Sequence, residues 1–167
     1  CYEYVMDGIC TKSDKTSYDL CGKSSIEKQK VTLDVFWNSC GSWYENKNIS
    51  QSQFSEFPFS NGFNIGDVMF IHGKSFEQVT VGDIIVFRSF DGIPIIHRVV
   101  RVDDSGAEKT VQTKGDHNAG SIAAGQRSEL AITQEQYIGT AVAKLPFVGY
   151  VKLLFVRLLL FVMGIFA

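Results

Sequence analysis

Apolar residues change their spacing near residue 62 of this chain. Residues 1–30 carry no sustained hydrophobic period and read as a loop-rich, cross-linked excursion. From Val31 to Tyr44, the positions of Leu33, Phe36, Trp37 and Trp43 predict one short amphipathic helix, kinked at Gly41. Residues 46–60 are again mostly polar, with phenylalanines at Phe54, Phe57 and Phe59, and Asn61-Gly62 marks a turn. Beyond it the runs become short and β-branched: Val68–Ile71, Ile84–Phe87, Ile93–Val102, Thr110–Thr113, Ile138–Ala143 and Phe147–Val151. Gly66-Asp67 opens the first run and Gly82-Asp83 the second.

No segment of helical period separates these six runs, which favours an antiparallel over a doubly wound sheet. The expected fold class is mostly β. It is a barrel-like antiparallel sheet with a disulfide-rich, partly helical insertion and an apolar C-terminal helix. The corresponding divisions are 1–61 for the polar insertion, 62–152 for the β core and 153–167 for the apolar helix. Residues 153–167 contain a single charge, Arg157. A membrane span takes about 20 apolar residues, so the segment reads as the start of one, with Lys152 and Arg157 reaching toward the head groups. An interfacial or buried helix is the other reading. No Met opens the chain and it stops within an apolar run, the pattern of a segment of a longer protein.

Composition narrows the partners. With 45% hydrophobic and 20% charged residues and a net charge of −2, the chain is globular and carries no basic footprint for nucleic acid. Its four cysteines (Cys1, Cys10, Cys21 and Cys40) all precede the β region. They form no CxxC pair and the histidines lie far downstream, so the spacing argues against zinc. One or two disulfides would staple a stretch too polar to build its own core, and would require an oxidising, extracytoplasmic location. Free thiols in a cytosolic protein are the alternative. The acceptor pattern Asn48-Ile49-Ser50 agrees with the first reading.

Candidate chemistry begins at His97, a polar ring in the middle of Ile95-Ile96-His97-Arg98-Val99-Val100. Strand alternation sends His97 and Arg98 to opposite faces. The next strand ends in the polar turn Thr113-Lys114-Gly115-Asp116-His117-Asn118. Pairing of the two strands can bring Asp116 beside His97, and an acid that orients a histidine is the back half of a Ser-His-Asp relay. The same turn is also explained by Asp and Asn side chains bonding their own backbone.

Four motifs in this order, Gly66-Asp67-Val68-Met69-Phe70, Val81–Phe87, Ile93–Val99 and Thr113–Asn118, resemble the type I signal peptidases of the archaeal and endoplasmic-reticulum kind. Pro146–Val151 resembles that family's closing segment, and the likeness covers roughly residues 62–155. The stretch from Phe36-Trp37 to Phe63 looks like an insertion found in some archaeal members. The resemblance implies a membrane-tethered serine endopeptidase that removes signal peptides on the outer face, with His97 as base, followed by the family's arginine at Arg98. Asp116 matches the family's first aspartate. A second acid usually follows, but Ile122 stands there, which leaves the third member of the triad to Asp116 or to Glu129.

No Ser-Gly-Ser-Met string occurs. Ser25, within Ser24-Ser25-Ile26-Glu27, is its nearest echo, and a serine upstream of Cys1 is the other candidate. In the implied mechanism the serine attacks the scissile carbonyl, His97 takes its proton, and water resolves the acyl-enzyme. The substrate would lie as an added strand. Signal-peptide-bearing pre-proteins, membrane lipid and a translocation machinery are the implied partners; no metal or organic cofactor is. Two other readings remain: a lysine-based self-cleaving peptidase on the same scaffold, disfavoured by His97 and the apolar tail, and a membrane-anchored binding or assembly module without a nucleophile.

Overall fold

A computed structural model describes residues 17–27, 32–63, 66–150 and 154–155, with side chains described for all of these but 17–19 and 23–27. Helix α1, Leu33–Glu45, starts where the Thr32 side chain accepts the Val35 amide and so satisfies one of the first turn's unpaired N–H groups. It runs through Gly41, where a kink was expected. Glycine is needed there for packing, since a Cβ would stand 2.6 Å from the Trp37 ring. The polar stretch that follows holds a second helix, α2 (Gln51–Glu56), which hydrophobic spacing does not announce. Its signal is local: Ser50 and Gln53 form a reciprocal capping box, and Ile49 and Phe54 on either side of the cap are both buried as a hydrophobic staple.

The region read as a loop-rich excursion contains a hairpin, β1 (Ser17–Leu20) with β2 (Lys23–Glu27), paired from Ser17↔Glu27 to Leu20↔Lys23. Its two-residue loop, Cys21-Gly22, has φ of 53° and 73°, as a right-twisted hairpin turn of this length demands. A disulfide between Cys21 and Cys40 ties the hairpin to α1. The expected stapling is borne out by this bridge; Cys1 and Cys10 lie outside the described residues.

Five of the six β runs form one antiparallel sheet: β3 (Val68–His72), β4 (Ile84–Arg88), β5 (Pro94–Asp103), β6 (Thr110–Lys114) and β7 (Tyr137–Leu145), in the order β3-β7-β4-β5-β6. The sixth departs from expectation. Phe147 adopts a φ of 63°, which no strand can propagate, and Val148–Tyr150 are helical. This closing segment is clamped by the first Gly-Asp motif: the Phe147 amide donates to Asp67 Oδ1 at 3.3 Å and the Gly149 amide to the Gly66 carbonyl at 2.8 Å. Gly66 is required twice over, by its φ of 92° and because a Cβ would fall 2.4 Å from the Tyr150 ring.

The two faces of the sheet pack differently. Phe36, Tyr44 and Phe54 from the helices, with Ile49 from the turn between them, cover Val100 on one side of β5. Val99 on the other side joins Ile85, Phe87, Val111 and Ile132. Among the described residues no helix is long and apolar enough to cross a membrane. The apolar helix expected at 153–167 lies outside the described residues except for Leu154 and Phe155, which are helical and exposed.

Candidate active site

The alternation of β5 divides His97 from Arg98 as expected. Both are buried, yet they enter separate environments. His97 Nδ1 is bonded to Glu129 Oε1 on the face that carries Val99. Arg98 enters the layer beneath the helices. Its Nη1 donates to the Pro58 and Gly82 carbonyls at 2.9 Å each, its Nη2 donates to the Phe59 carbonyl at 3.2 Å, and its guanidinium lies 4.9 Å from the Phe54 ring centroid.

Glu129 is the carboxylate that reaches the histidine. It is fully buried, and a charge there is tolerated only when hydrogen-bonded. Thr113 Oγ1 donates to Oε1 at 3.1 Å and the Ile122 amide to Oε2 at 2.7 Å, in addition to the His97 contact. The backbone explains how an acid 32 residues distant arrives here. After β6 the chain loops out through small residues and returns, pairing Thr113 N with Glu129 O at 3.0 Å and Glu129 N with Ile122 O at 2.8 Å. The bridge Val111↔Ile132 continues the same return. Ile122, where a second family acid was expected, contributes its amide rather than a carboxylate.

Asp116, expected beside His97, is bonded on the other face. It receives Arg98 Nε at 3.0 and 2.9 Å and Arg98 Nη2 at 2.8 Å, and Tyr44 Oη donates to it at 2.6 Å. The reason is register. Arg98, not His97, is opposite Lys114 across β5 and β6, so the turn that follows β6 delivers Asp116 toward the arginine. Lys114 is fully buried in the same cluster. Its Nζ donates to the Gly115 and Asp116 carbonyls at 2.9 and 3.0 Å and stands 4.8 Å from the Tyr44 ring centroid. Tyr44 carries no sequence signal for this role, since an aromatic on the buried stripe of a helix reads as packing. Lys114 had one: a lysine ending an otherwise buried strand must find acceptors.

Ser25 lies in β2, in the two-stranded sheet rather than the sheet of His97, and its side chain is outside those described. The hairpin is anchored near the cluster of Asp116 by the Cys21 amide, which donates to the His117 carbonyl at 2.9 Å. Among the described residues no group of His, Cys, Asp and Glu could hold a metal ion.

A buried histidine with one ring nitrogen held by a carboxylate has the geometry of the acid–base half of a nucleophilic hydrolase. With Nδ1 committed to Glu129, Nε2 is the nitrogen that can take up a proton. Comparison with known proteins finds similar sequences. Over 95 residues the chain is 40% identical to the signal peptidase complex catalytic subunit SEC11 of Colletotrichum graminicola, covering 55% of each chain. It is 38% identical over 95 residues to the protein of the same name from Verticillium alfalfae. The Candida albicans protein of that name is 38% identical over 96 residues, 55% of this chain and 57% of that one. The resemblance to type I signal peptidases read from the motifs is thereby borne out. The chain spans about half the length of these relatives, and no family model matches it.

Proposed function

We propose that this chain is the catalytic part of a signal peptidase I-like serine endopeptidase that cleaves signal peptides from exported pre-proteins. The observation that carries the reading is the His97–Glu129 contact, buried in a sheet whose sequence resembles signal peptidase catalytic subunits. In this proposal a serine Oγ attacks the scissile carbonyl carbon while His97 Nε2 takes the hydroxyl proton. The tetrahedral intermediate collapses, the C–N bond breaks, and His97 returns the proton to the leaving amine. Water then repeats the cycle on the acyl-enzyme, with His97 again as base. Glu129 fixes the ring and balances the imidazolium. Asp116 acts one step away, holding Arg98 and thereby the backbone next to His97.

Ser25 and a serine upstream of Cys1 are both retained as nucleophile. If it is Ser25, the oxyanion donors are its own amide and a neighbouring group such as Ser24. The protein is membrane-associated with this domain outside the cytoplasm, on a scaffold of the family's barrel-like type. The Cys21–Cys40 disulfide supports the location, because such bonds persist in oxidising compartments. The exposed apolar residues Phe147, Leu154 and Phe155 support contact with lipid, and the relatives' names support assembly into a complex.

The test uses the full-length protein and a labelled pre-protein. His97→Ala should abolish cleavage while the thermal melt still records a cooperatively folded protein, and a serine-directed lipopeptide or β-lactam probe should acylate the parent once per chain. Absence of both acylation and cleavage in the parent would favour the binding-module reading instead, and undiminished cleavage by the alanine variant would remove His97 as the base.

A further inference from the structure

We infer that Asn48 is an N-glycosylation site, modified with an oligosaccharide transferred from a polyprenyl-linked phosphate or pyrophosphate donor. Asn48-Ile49-Ser50 is the single Asn-X-Ser/Thr triplet among the 167 residues. The fold presents it at the surface in the turn between α1 and α2. The middle residue, Ile49, is 4% exposed and anchors the turn in the core, whereas Asn48 and Ser50, the two side chains a transferase must reach, are both exposed. The Asn48 side chain makes no hydrogen bond to the described residues, so attaching a sugar to its nitrogen displaces no contact of the fold.

In the transfer, Asn48 Nδ2 forms a bond to the sugar's anomeric carbon as that carbon's bond to the donor phosphate oxygen breaks. One amide proton is released and the lipid phosphate departs. The donor and its transferase belong to the membrane, so the inference rests on the extracytoplasmic location proposed above. That location has its own mark in the same insertion, the Cys21–Cys40 disulfide. The attachment point is also compatible with catalysis. Helices α1 and α2 cover the Arg98 face of the sheet and His97 meets Glu129 on the other, so a glycan at this turn grows from the side away from the histidine.

Each end of the triplet also has a local structural use. Asn48 has a φ of 60°, which asparagine tolerates, and Ser50 caps α2. The test therefore uses substitutions that keep those uses and remove only the acceptor. Asn48→Gly suits the left-handed backbone, Ser50→Asp keeps a strong cap, and Ser50→Thr keeps both cap and acceptor. The full-length protein is synthesised in the presence of endoplasmic-reticulum microsomes and its mass compared before and after treatment with a glycosidase specific for Asn-linked sugars. Parent and Ser50→Thr should lose one glycan's mass, Asn48→Gly and Ser50→Asp should have none to lose, and pre-protein cleavage by Asn48→Gly should stay within twofold of the parent. A parent without glycosidase-sensitive mass overturns the inference. If the domain is then protease-protected with Cys21 and Cys40 joined, the inference fails alone; if it is protease-accessible and reduced, the location reading fails with it.

Discussion

Glu129→Gln separates charge and orientation from shape at the proposed site. The substitution keeps the volume of a fully buried side chain but replaces a carboxylate that accepts from three groups, His97 Nδ1, Thr113 Oγ1 and the Ile122 amide. The Ile122 amide can only donate, so the new amide oxygen must face it, and the NH2 then faces His97 Nδ1. Two donors cannot meet there. The ring must therefore carry its hydrogen on Nε2, the atom that has to be an acceptor for a serine proton. In Ser-His-Asp enzymes this tautomer error costs about 10⁴ in kcat, equivalent to about 5 kcal/mol of transition-state stabilisation. Loss of charge-assisted bonding should lower stability by a smaller amount, about 1–3 kcal/mol. Steady-state cleavage of a labelled pre-protein should thus show kcat falling about a thousandfold or more with KM within a few fold, while the melt records a folded protein. Glu129→Asp, which keeps the charge but draws it back by about 1.5 Å, should recover part of the rate. Retention of more than a tenth of the parent kcat by Glu129→Gln would refute the assignment of Glu129 to the histidine.

Other substitutions probe the opposite face and the periphery. Asp116→Asn leaves Arg98 buried without its counter-charge and should destabilise the fold by about 3–5 kcal/mol in denaturant melts; a loss under 1 kcal/mol would contradict a structural role for this pair. Replacing Cys21 and Cys40 together by serine removes a cross-link between positions 19 residues apart, worth about 3 kcal/mol in loop entropy; an unchanged denaturation midpoint would argue that the bridge adds nothing. Asp91 is held below the ordinary carboxylate range, first by the Ser89 hydroxyl and then by Arg127. Its contribution is therefore complete above the ordinary Asp value of about 3.9 and lost as pH falls through the lower folded value. NMR titration of its carboxyl carbon should give a midpoint below that value, and one at or above it would remove the effect.

Much of this architecture was legible before any coordinates. Strands β3 to β6 fall on β-branched runs bounded by Gly and Asp, and β7 on a further apolar run, because a strand writes its period into consecutive residues. His97 and Arg98 divide between faces for the same reason. Helix α2 was missed because six residues are too few to carry a hydrophobic period, so only its cap and staple could reveal it. The hairpin at 17–27 was missed because strands of four and five residues are too short to write a clear period, and the two-stranded unit leans on a disulfide and a loop of the larger sheet. The closing segment was misread as a strand because its apolar run is as compatible with a clamp against Gly66-Asp67 as with an edge strand.

The partner of the histidine belongs to another level. Residue order determined that a polar ring would stand in a central strand, that an arginine would face the other way, and that acids at 116 and 129 would follow. Which acid met which base was decided only by the pairing of β5 with β6, where Arg98 lies opposite Lys114, and by the return of the chain that lays Glu129 against Thr113. Alternation is a property of neighbours and can be read from neighbours. Register and loop return are set by contacts between residues far apart in the chain, whose energies exist only once the sheet has formed.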